Sequence, residues 1–554
     1  MLSWQDWVLL FLFLGTVAGI SLWASRGERT RRDYFLAGRS LPWWLIGFSL
    51  IASNISTEHF VGMTGTAARS GFAVASYEWL AAPALVFVAW WLLPRFLKAG
   101  IYTMPEYLEY RFDRSCRSIL ASFMVVFFVL TVLATVLYSG ATFLSGVLKL
   151  PEILMNRFDL EESGARWWSF QLGVWGIGIA AGIYTIFGGL KAVVWSDLLQ
   201  GGALLAGGTL VAFLALHRLG EGEGIWSGWH RFAEQNREGL HVIRSWNDPD
   251  VPSLSLITGL WIPVMFYWGL NQFITQRTLA AGSLAEGQKG ILFAALIKLF
   301  LPFLVVIPGM MAVQILADRL PVDQMDGAYP MLLRELLPAG LLGLMLAAVA
   351  GSIMSTFNSG LNSAATVFTL DLWSVYVQKR MTEAEAVRIG RIVTALLAVG
   401  ACLWAPVIHA FDGVFQYIQE FWGFVSAPTC AVFFAGMVMP RVPAAAARCS
   451  LLVGPLLYLL SRAPSWVWTE QDVASMASPW RMLHAYSSMA FLYHMFVLFL
   501  FLLGLMAAWG GWAPRIEGKP LPEPKVVDLR PMKGLRAAGY GVLALTAALY
   551  LCFW

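Results

Sequence analysis

Long apolar runs separated by short polar stretches dominate the chain. A helix needs about 20 predominantly apolar residues to cross a bilayer, and fourteen runs reach that length. They lie near positions 4–24, 43–67, 72–98, 117–148, 166–188, 192–217, 254–276, 287–317, 338–375, 387–410, 413–438, 443–462, 487–512 and 533–554. The pattern therefore predicts an all-α polytopic membrane protein with about fourteen transmembrane helices in a lipid bilayer.

The composition narrows the class of protein further. Of the 554 residues, 58% are hydrophobic and 13% are charged, whereas soluble domains carry about 25% charged residues. The net charge of +4 is small and dispersed, so we expect no nucleic-acid partner. We find no Walker loop, HExxH motif or nucleophile elbow. These observations predict that the protein is not an enzyme and that any transport is driven by an ion gradient.

The distribution of basic residues predicts the orientation. With the N-terminus outside, the inner loops carry 25 of the 38 Lys and Arg residues, Arg277 among them, and the outer loops about twelve. The opposite orientation would violate the positive-inside rule. We therefore expect a multi-pass protein of the cell inner (plasma) membrane with both termini on the extracytoplasmic side.

A dense polar cluster interrupts the second apolar run between Ser49 and Phe60. Ser, Asn and Thr side chains compete for backbone hydrogen bonds and favour local unwinding. Unwound backbone at membrane depth survives where it lines a cavity, and its freed carbonyls can bind a cation. Glu58 and His59 end the cluster; the alternative is that both lie near the outer interface and are simply hydrated.

Three further polar side chains lie inside apolar runs, where they are costly unless paired or facing a cavity. Glu78 and Lys298 have opposite charges and are expected to share one polar cavity. Gln419 adds a hydrogen-bonding amide. For Glu420 beside it, the alternative is a purely structural role. The alternative for Lys298 is that its long side chain reaches the membrane interface, where the ammonium is hydrated.

The ninth run presents a hydroxyl-lined helix face, formed by Ser352, Ser355, Thr356, Ser359 and Ser363 at three- and four-residue intervals. Hydroxyl and carbonyl oxygens suit a hard cation such as sodium. Asp197, in the sixth run, is placed to relay a departing cation. The alternative is close helix packing by small residues, which is common in membranes.

Several long blocks of the sequence resemble the sodium/solute symporter family, most closely its bacterial sodium/glucose (galactose) cotransporter branch. They are YFLAGRSLPWWLIGFSLIASNISTEHFVGMTGTA, SYEW, KAGIYTMPEYLEYRF, YTIFGGLKAVVWSDLLQ, FYWGLNQFITQRTLAA and FNSGLNSAATVFTLDLW. The resemblance runs from about Tyr34 to about Arg441. It implies a LeuT-like fold, with a core of ten helices in two inverted repeats of five. The first helix of each repeat is broken, which fits the polar cluster at Asn54–Ser56 and Pro263.

The resemblance also implies a division of the chain. A peripheral helix and inner loop (1–40) precede the first repeat (41–217), an extracytoplasmic loop (218–252) and the second repeat (253–441). Peripheral helices follow (442–554), with a Pro-rich cytoplasmic linker at 513–532.

The implied cation is Na⁺. Its ligands would be the backbone carbonyls of Ala52, Ile55 and Ser352 and the hydroxyls of Ser355 and Thr356. Some relatives carry a second sodium, and the corresponding positions here form either that site or an exit path. These positions are Asp197, Ser355, Asn358 and Ser359. One sodium per solute is the expectation, with two as the alternative.

The implied solute is a sugar or polyol. Its site would comprise Asn54, His59, Glu78, Trp268, Lys298 and Gln419. Tyr267 would be the inner gate, and Met63, Tyr77 and Phe415 would close the outer side. His59, Val264 and Ala81 depart from the bacterial galactose pattern, which leaves hexoses, pentoses and inositol open.

The sequence thus predicts a sodium-coupled sugar symporter that works by alternating access. One alternative keeps the fold but carries another solute, such as inositol, sialic acid, proline or pantothenate. Because Lys298 is expected to face Glu78, the cavity favours neutral polyols over carboxylates. The second alternative is a sugar sensor that binds without transporting.

Overall fold

The computed structural model describes residues 2–24, 35–187, 190–248, 251–320, 322–378, 381–411, 414–514 and 527–554. The chain is nearly all-helical over these ranges, and twelve helical segments within them are long and apolar enough to cross a membrane. Two other predicted spans, 43–67 and 166–188, correspond to a helix interrupted in its middle and to the helix Glu162–Phe187. The predicted all-α polytopic architecture is confirmed.

The helices of the structure follow the apolar runs closely. Many of the longer ones contain short π-helical turns, so one span is made of consecutive segments. The main helices are Trp4–Ala24, Trp43–Asn54, Glu58–Met63 with Thr64–Ser70, Ser76–Trp79, Ala81–Phe87 with Val88–Leu92 and Leu93–Ala99, Met104–Arg111, Arg114–Phe127 with Phe128–Leu133 and Ala134–Leu148, Leu150–Phe158, Glu162–Phe187, Leu190–Leu219, Ile225–Gln235, Trp261–Met265 with Phe266–Leu270, Gln272–Leu279, Leu284–Leu316, Ala328–Leu336, Leu341–Val367 with Phe368–Trp373, Glu383–Trp404, Val414–Val438, Ala444–Val467, Ser478–Ser487, Phe491–Trp512 and Leu535–Cys552.

The second predicted span is broken where the polar cluster predicted it. The helix Trp43–Asn54 ends at Ile55, whose backbone is extended (φ −73°, ψ 105°), and helical structure resumes at Glu58. The break leaves backbone carbonyls without helical partners. We call Trp43–Asn54 and Glu58–Ser70 together the broken helix.

The seventh predicted span is also broken, but not at Pro263 as the sequence suggested. Pro263 lies inside the helix Trp261–Met265, and the break falls eight residues later at Asn271, which is extended (φ −78°, ψ 123°). The Asn271 side chain accepts a hydrogen bond from the Phe273 N–H and so caps the helix Gln272–Leu279. Pro263 is tolerated because proline fits the first turn of a helix, whereas Asn favours the cap.

Two long helices flank the broken helix and carry most of the remaining polar side chains. The helix Leu284–Leu316 bears Lys298, and the helix Leu341–Val367, which we call the hydroxyl helix, bears the serine and threonine face. Both pack against Trp43–Asn54, as does Leu190–Leu219, which bears Asp197. The break is therefore enclosed by the three helices that carry ionisable or hydroxyl groups.

The first helix, Trp4–Ala24, supports the hydroxyl helix at its N-terminus. Asp6 is buried, and its Oδ1 accepts hydrogen bonds of 2.8 Å from the N–H groups of both Gly340 and Gly343. These N–H groups belong to the first turn of the hydroxyl helix, where donors have no partner within the helix. A residue more than 330 positions away in sequence thus supplies the cap.

The division of the chain into two repeats and peripheral segments stays a prediction. The first inner loop falls largely on residues 25–34, and the Pro-rich linker falls largely on residues 515–526. Both stretches lie outside the described residues.

Candidate solute cavity and ion site

A cavity of about 100 Å³ lies beside the break in the broken helix. Most of the side chains predicted to bind or enclose the solute line it. The lining residues are Asn54, Glu58, His59, Met63, Tyr77, Glu78, Pro263, Val264, Tyr267, Trp268, Ile418, Gln419 and Trp422. The structure therefore brings together residues from four stretches of the sequence that are up to 368 positions apart.

A network of polar side chains forms one wall of the cavity. Lys298 contacts both Glu78 and Asn54, donating to Glu78 Oε2 and Asn54 Oδ1. On the other side of the carboxylate, His59 Nε2 lies 3.3 Å from Glu78 Oε1. The expected Glu78–Lys298 pair is therefore present, and Lys298 does not extend to an interface because its side chain is 1% exposed.

Aromatic rings also line the cavity. The Tyr267 ring stacks on Trp422 with centroids 5.0 Å apart and planes at 26°, and its hydroxyl accepts a hydrogen bond of 3.1 Å from Asn54. Trp268 places its ring 5.1 Å from the Lys298 ammonium, a cation–π contact. Sequence reasoning did not single out Trp422, because a tryptophan within an apolar run carries no distinguishing signal.

The remaining predicted cavity residues divide into three groups. Met63, Tyr77 and Gln419 line the cavity. Glu58 is half-buried there and accepts a 2.8 Å hydrogen bond from the Thr135 hydroxyl. The side chain of Phe415 lies outside the described residues.

Glu420, which follows Gln419, has a structural role, as the alternative interpretation of the sequence stated. It forms a buried ion pair with Arg462 on the helix Ala444–Val467. The pair links that helix to Val414–Val438, and Glu420 is absent from the cavity lining.

The hydroxyl helix meets the broken helix at the break itself. The Ser352 hydroxyl donates to the Ile55 carbonyl at 3.0 Å, and the Thr356 hydroxyl donates to the Ser53 carbonyl at 3.4 Å. Ala52, whose carbonyl was predicted as a ligand, is buried one residue away. Carbonyl and hydroxyl oxygens from two elements thus converge where unwound backbone can coordinate a cation.

Asp197 lies against the same surface. Its carboxylate accepts hydrogen bonds from Ser355, from Ser49 at 2.5 Å and from Ser53 at 3.1 Å. The predicted Asp197 and Ser355 are therefore in direct contact. Ser359 is linked to Asp197 through Arg277, to which it presents its hydroxyl oxygen at 2.6 Å. Asn358 instead accepts a 2.5 Å hydrogen bond from Thr185 on Glu162–Phe187.

Arg277 is the main residue of this region that sequence reasoning misplaced. It was counted among the inner-loop charges, yet it is fully buried and its Nη2 lies 3.3 Å from Asp197 Oδ2. Each of its three guanidinium nitrogens donates to a protein oxygen, and the acceptors include the Ser49 hydroxyl and the Phe273 carbonyl. The buried Asp197, 80 positions away in sequence, is the residue that requires a buried arginine. Periodicity along a single helix does not reveal which residue of another helix it contacts.

The geometry defines what the region can do chemically. The cavity lining offers carboxylate and amide groups together with flat aromatic rings, and the buried Lys298 ammonium pairs with the carboxylate. This combination suits a small solute that carries several hydroxyl groups and an apolar face. The adjacent oxygen cluster suits a cation, and the broken helix contributes to both.

Comparison with known proteins identifies the family. The model of the sodium:solute symporter family matches residues 34–158 and 161–454. The chain is 34% identical to the sodium/glucose cotransporter of Vibrio parahaemolyticus, over 100% of this chain and 99% of that protein. It is 33% identical to the sodium/myo-inositol cotransporter 2 of Sus scrofa, over 84% of this chain and 70% of that protein.

A solved structure shares the fold. It is a Na⁺-coupled sialic acid symporter in a substrate-bound, outward-open state, which matches with a TM-score of 0.72 and 20% identity over 93% of this chain and 99% of that one. The LeuT-like architecture expected from the sequence is confirmed. The chain belongs to the sodium:solute symporter family, a multi-pass membrane family whose coupling ion is sodium.

Proposed function

We propose that the protein imports a sugar or a closely related polyol together with sodium across the plasma membrane. The observation that carries the proposal is that Glu78 and Asn54, both held by Lys298, line one cavity together with the Tyr267 and Trp422 rings. Hydroxyl groups both donate and accept, so a polyol can bond to the carboxylate and the amides of this lining at once.

The charge balance favours a neutral solute over a carboxylate. Lys298, the ammonium at this wall, is already paired with Glu78. A solute carboxylate would have to displace Glu78 and leave that carboxylate buried without a counter-charge, which is strongly unfavourable. The names of the glucose and myo-inositol cotransporters support the same class of solute.

The proposed sodium site lies at the break. Its ligands are the carbonyls of Ala52, Ile55 and Ser352 and the hydroxyls of Ser355 and Thr356. The contacts of Ser352 with Ile55 and of Thr356 with Ser53 support this set, because they bring hydroxyl oxygens to the unwound carbonyls. A second sodium or exit path is proposed at Asp197 and Ser359; Asn358 is a weaker member, since its side chain bonds to Thr185.

The proposed mechanism is alternating access between two inverted repeats, 41–217 and 253–441, with both termini outside. Sodium binding joins the broken helix to the hydroxyl helix and favours the outward-open state. The solute then fills the cavity, Met63, Tyr77 and Phe415 close its outer side, and Tyr267 opens the inner side. One sodium moving down about 100 mV supplies about 2.3 kcal/mol, and a tenfold sodium ratio adds about 1.4 kcal/mol. Together these support roughly 500-fold accumulation.

The experiment is uptake into proteoliposomes with an imposed inward sodium gradient, screening labelled hexoses, pentoses, inositol, sialic acid and proline. We expect concentrative uptake of a neutral polyol that stops when choline replaces sodium. Uptake that is equal in choline would contradict sodium coupling. Preference for sialic acid or proline would contradict the proposed solute class.

A pair of variants tests the sodium site within the same assay. Ser355→Ala combined with Thr356→Ala removes two proposed ligands and should abolish sodium stimulation. Ser363→Ala is the matched control, because Ser363 lies on the same helix but bonds to Gln276. Unchanged sodium stimulation in the double variant would mean that the cation binds elsewhere.

A further inference from the structure

Five aromatic side chains pack together directly behind the wall that bears Glu78. They are Phe72, Trp79, Phe303, Tyr550 and Phe553, which we call the aromatic cluster. Trp79 lies at its centre, with ring centroids 5.4 Å from Phe72, 5.3 Å from Tyr550 and 5.8 Å from Phe553. Phe553 in turn lies 4.9 Å from Phe72 and 5.9 Å from Phe303. Two of the five rings thus come from the last helix, Leu535–Cys552, which carries Tyr550, and from Phe553 directly after it.

Trp79 connects this cluster to both charges of the cavity. It directly follows Glu78 in the four-residue helix Ser76–Trp79. Its indole N–H donates a 3.0 Å hydrogen bond to the carbonyl of Leu299, the residue next to Lys298. The indole therefore joins the backbone beside the carboxylate to the backbone beside the ammonium.

The segment that carries Glu78 is the first turn of a longer helical span, which continues through Leu80 into Ala81–Phe87. The chain reverses at Gly71, whose φ of +75° is one that residues with a side chain rarely adopt. A short 3₁₀ turn, Gly71–Ala75, then leads into Ser76–Trp79. The N–H groups in the first turn of a helix have no partners within the helix, so tertiary packing contributes to the position of this turn. The aromatic cluster supplies packing around Trp79.

The last helix is attached at both of its ends, so it can support the cluster. Near its start, the Trp90 indole N–H donates to the Leu535 carbonyl at 3.3 Å, and the Trp90 and Tyr540 rings are 5.2 Å apart. Just after its end, the Phe553 carbonyl accepts a 2.8 Å hydrogen bond from the Val242 N–H of the loop 236–248.

We propose that Tyr550 and Phe553 are positioning residues for solute binding. By packing on Trp79 they fix the segment that presents Glu78 to Lys298, although neither residue lines the cavity. The identity of the solute rests on the proposed function, but the positioning of Glu78 does not. The last helix, which lies outside the ten core helices, is thereby part of the machinery that sets solute affinity.

The primary test compares Phe553→Ala with Leu551→Ala in proteoliposomes. Leu551 is on the same helix but is 72% exposed, and it makes a matched control for truncation near the helix end. For Phe553→Ala we expect the KM for the transported solute to rise fivefold or more, with kcat within twofold and sodium half-saturation unchanged. Phe553→Tyr keeps the ring and should restore the wild-type KM. Equal KM values for Phe553→Ala and Leu551→Ala would overturn the proposal.

A second variant covers the case in which Phe553→Ala does not fold. Trp79→Phe keeps a ring in the cluster but removes the hydrogen bond to Leu299. It should raise KM in the same direction, again without a change in sodium half-saturation. A wild-type KM for this folded variant would contradict the role of Trp79 as the connection.

A transport-independent measurement separates this proposal from the proposed function. In a chain whose Cys449 and Cys552 are replaced by Ser, Glu78→Cys is labelled with a small thiol-specific reagent, and the chain that retains Glu78 gives the background. Adding Phe553→Ala should change the labelling rate threefold or more, whereas adding Leu551→Ala should not. Equal rates would overturn the positioning role even if sodium-driven polyol uptake is observed. Absence of polyol uptake with unequal rates would overturn only the solute class.

Discussion

Two buried acid–base pairs lie on opposite sides of the break in the broken helix, and their surroundings differ. Of Glu78 and Lys298, the cavity pair, Glu78 lines the cavity beside Asn54 and His59, and the buried Lys298 contacts Glu78 and Asn54. Asp197 and Arg277, the enclosed pair, are surrounded by serine hydroxyls and a backbone carbonyl. Charge pairs removed from water are tolerated when additional hydrogen bonds satisfy their remaining donors and acceptors.

The comparison indicates that the two pairs have different roles. The enclosed pair is hydrogen-bonded by protein atoms on all sides, so replacing its members should lower stability in addition to any effect on the proposed second sodium or exit path. Glu78 of the cavity pair lines the cavity, so replacing it should mainly affect solute binding.

Asp197→Ala should cause the greatest loss of stability. It leaves the Arg277 guanidinium buried without a counter-charge, which typically costs about 3–5 kcal/mol. We expect a clearly lower melting temperature in detergent and a low yield of folded protein. Glu78→Ala is the comparison, and its melting temperature should fall less because water in the cavity can solvate Lys298. Equal losses would remove the distinction between the two pairs.

Glu78→Gln should weaken solute binding and lower the melting temperature less than Asp197→Ala does. It removes a charged acceptor of hydrogen bonds, and such bonds are worth about 1.5–3 kcal/mol, or roughly 10- to 100-fold in affinity. Isothermal titration with the transported solute at saturating sodium measures the effect. Sodium half-saturation should not change. An unaltered solute affinity would exclude Glu78 from the site.

Asp6→Ala should destabilise the hydroxyl helix moderately, by about 0.5–2 kcal/mol, as expected for loss of an N-terminal cap. The variant tests whether the hydroxyl helix, which contacts the enclosed pair, depends on the cap supplied by the first helix. The readout is the melting temperature, with Gln5→Ala as the control on the same helix, since Gln5 is exposed. A shift no larger than that of Gln5→Ala would mean that the two Gly N–H groups find other partners.

Tyr267→Phe should give the smallest effect. It keeps the ring that stacks on Trp422 and loses only the neutral hydrogen bond with Asn54, worth about 0.5–1.5 kcal/mol. We expect solute affinity to fall by roughly 2- to 10-fold, measured by isothermal titration with the transported solute at saturating sodium. A loss as large as that of Glu78→Gln would mean that the hydroxyl contacts the solute as well as Asn54.

The sequence predicted those features of the fold and site that depend on local pattern. Apolar runs located the spans, and the Ser49–Phe60 cluster located the first break because its signal lies within one segment. The Glu78–Lys298 pair was predictable because each charge is isolated in an apolar run, so its cost requires a partner. In each case a few neighbouring residues carried the information.

The features that were missed depend on tertiary contacts or on competing local signals. Arg277 resembles a loop charge in sequence, and its burial follows from Asp197 and the serines of another helix. Trp422 became a cavity residue only through its stacking on Tyr267. The second break was assigned to Pro263, the stronger helix breaker, although Asn271 forms it by capping the next helix.

The Ser53–Ile55 stretch has a thermodynamic consequence for cooperativity. Ser53 bonds to Asp197, the Ser53 and Ile55 carbonyls accept from the hydroxyl helix, and Asn54 bonds to Lys298 and Tyr267. Under the proposed function, three consecutive residues therefore border both ligands, and no long relay between distant sites is needed. Linkage then requires reciprocity: whatever factor sodium adds to solute affinity, the solute must add to sodium affinity.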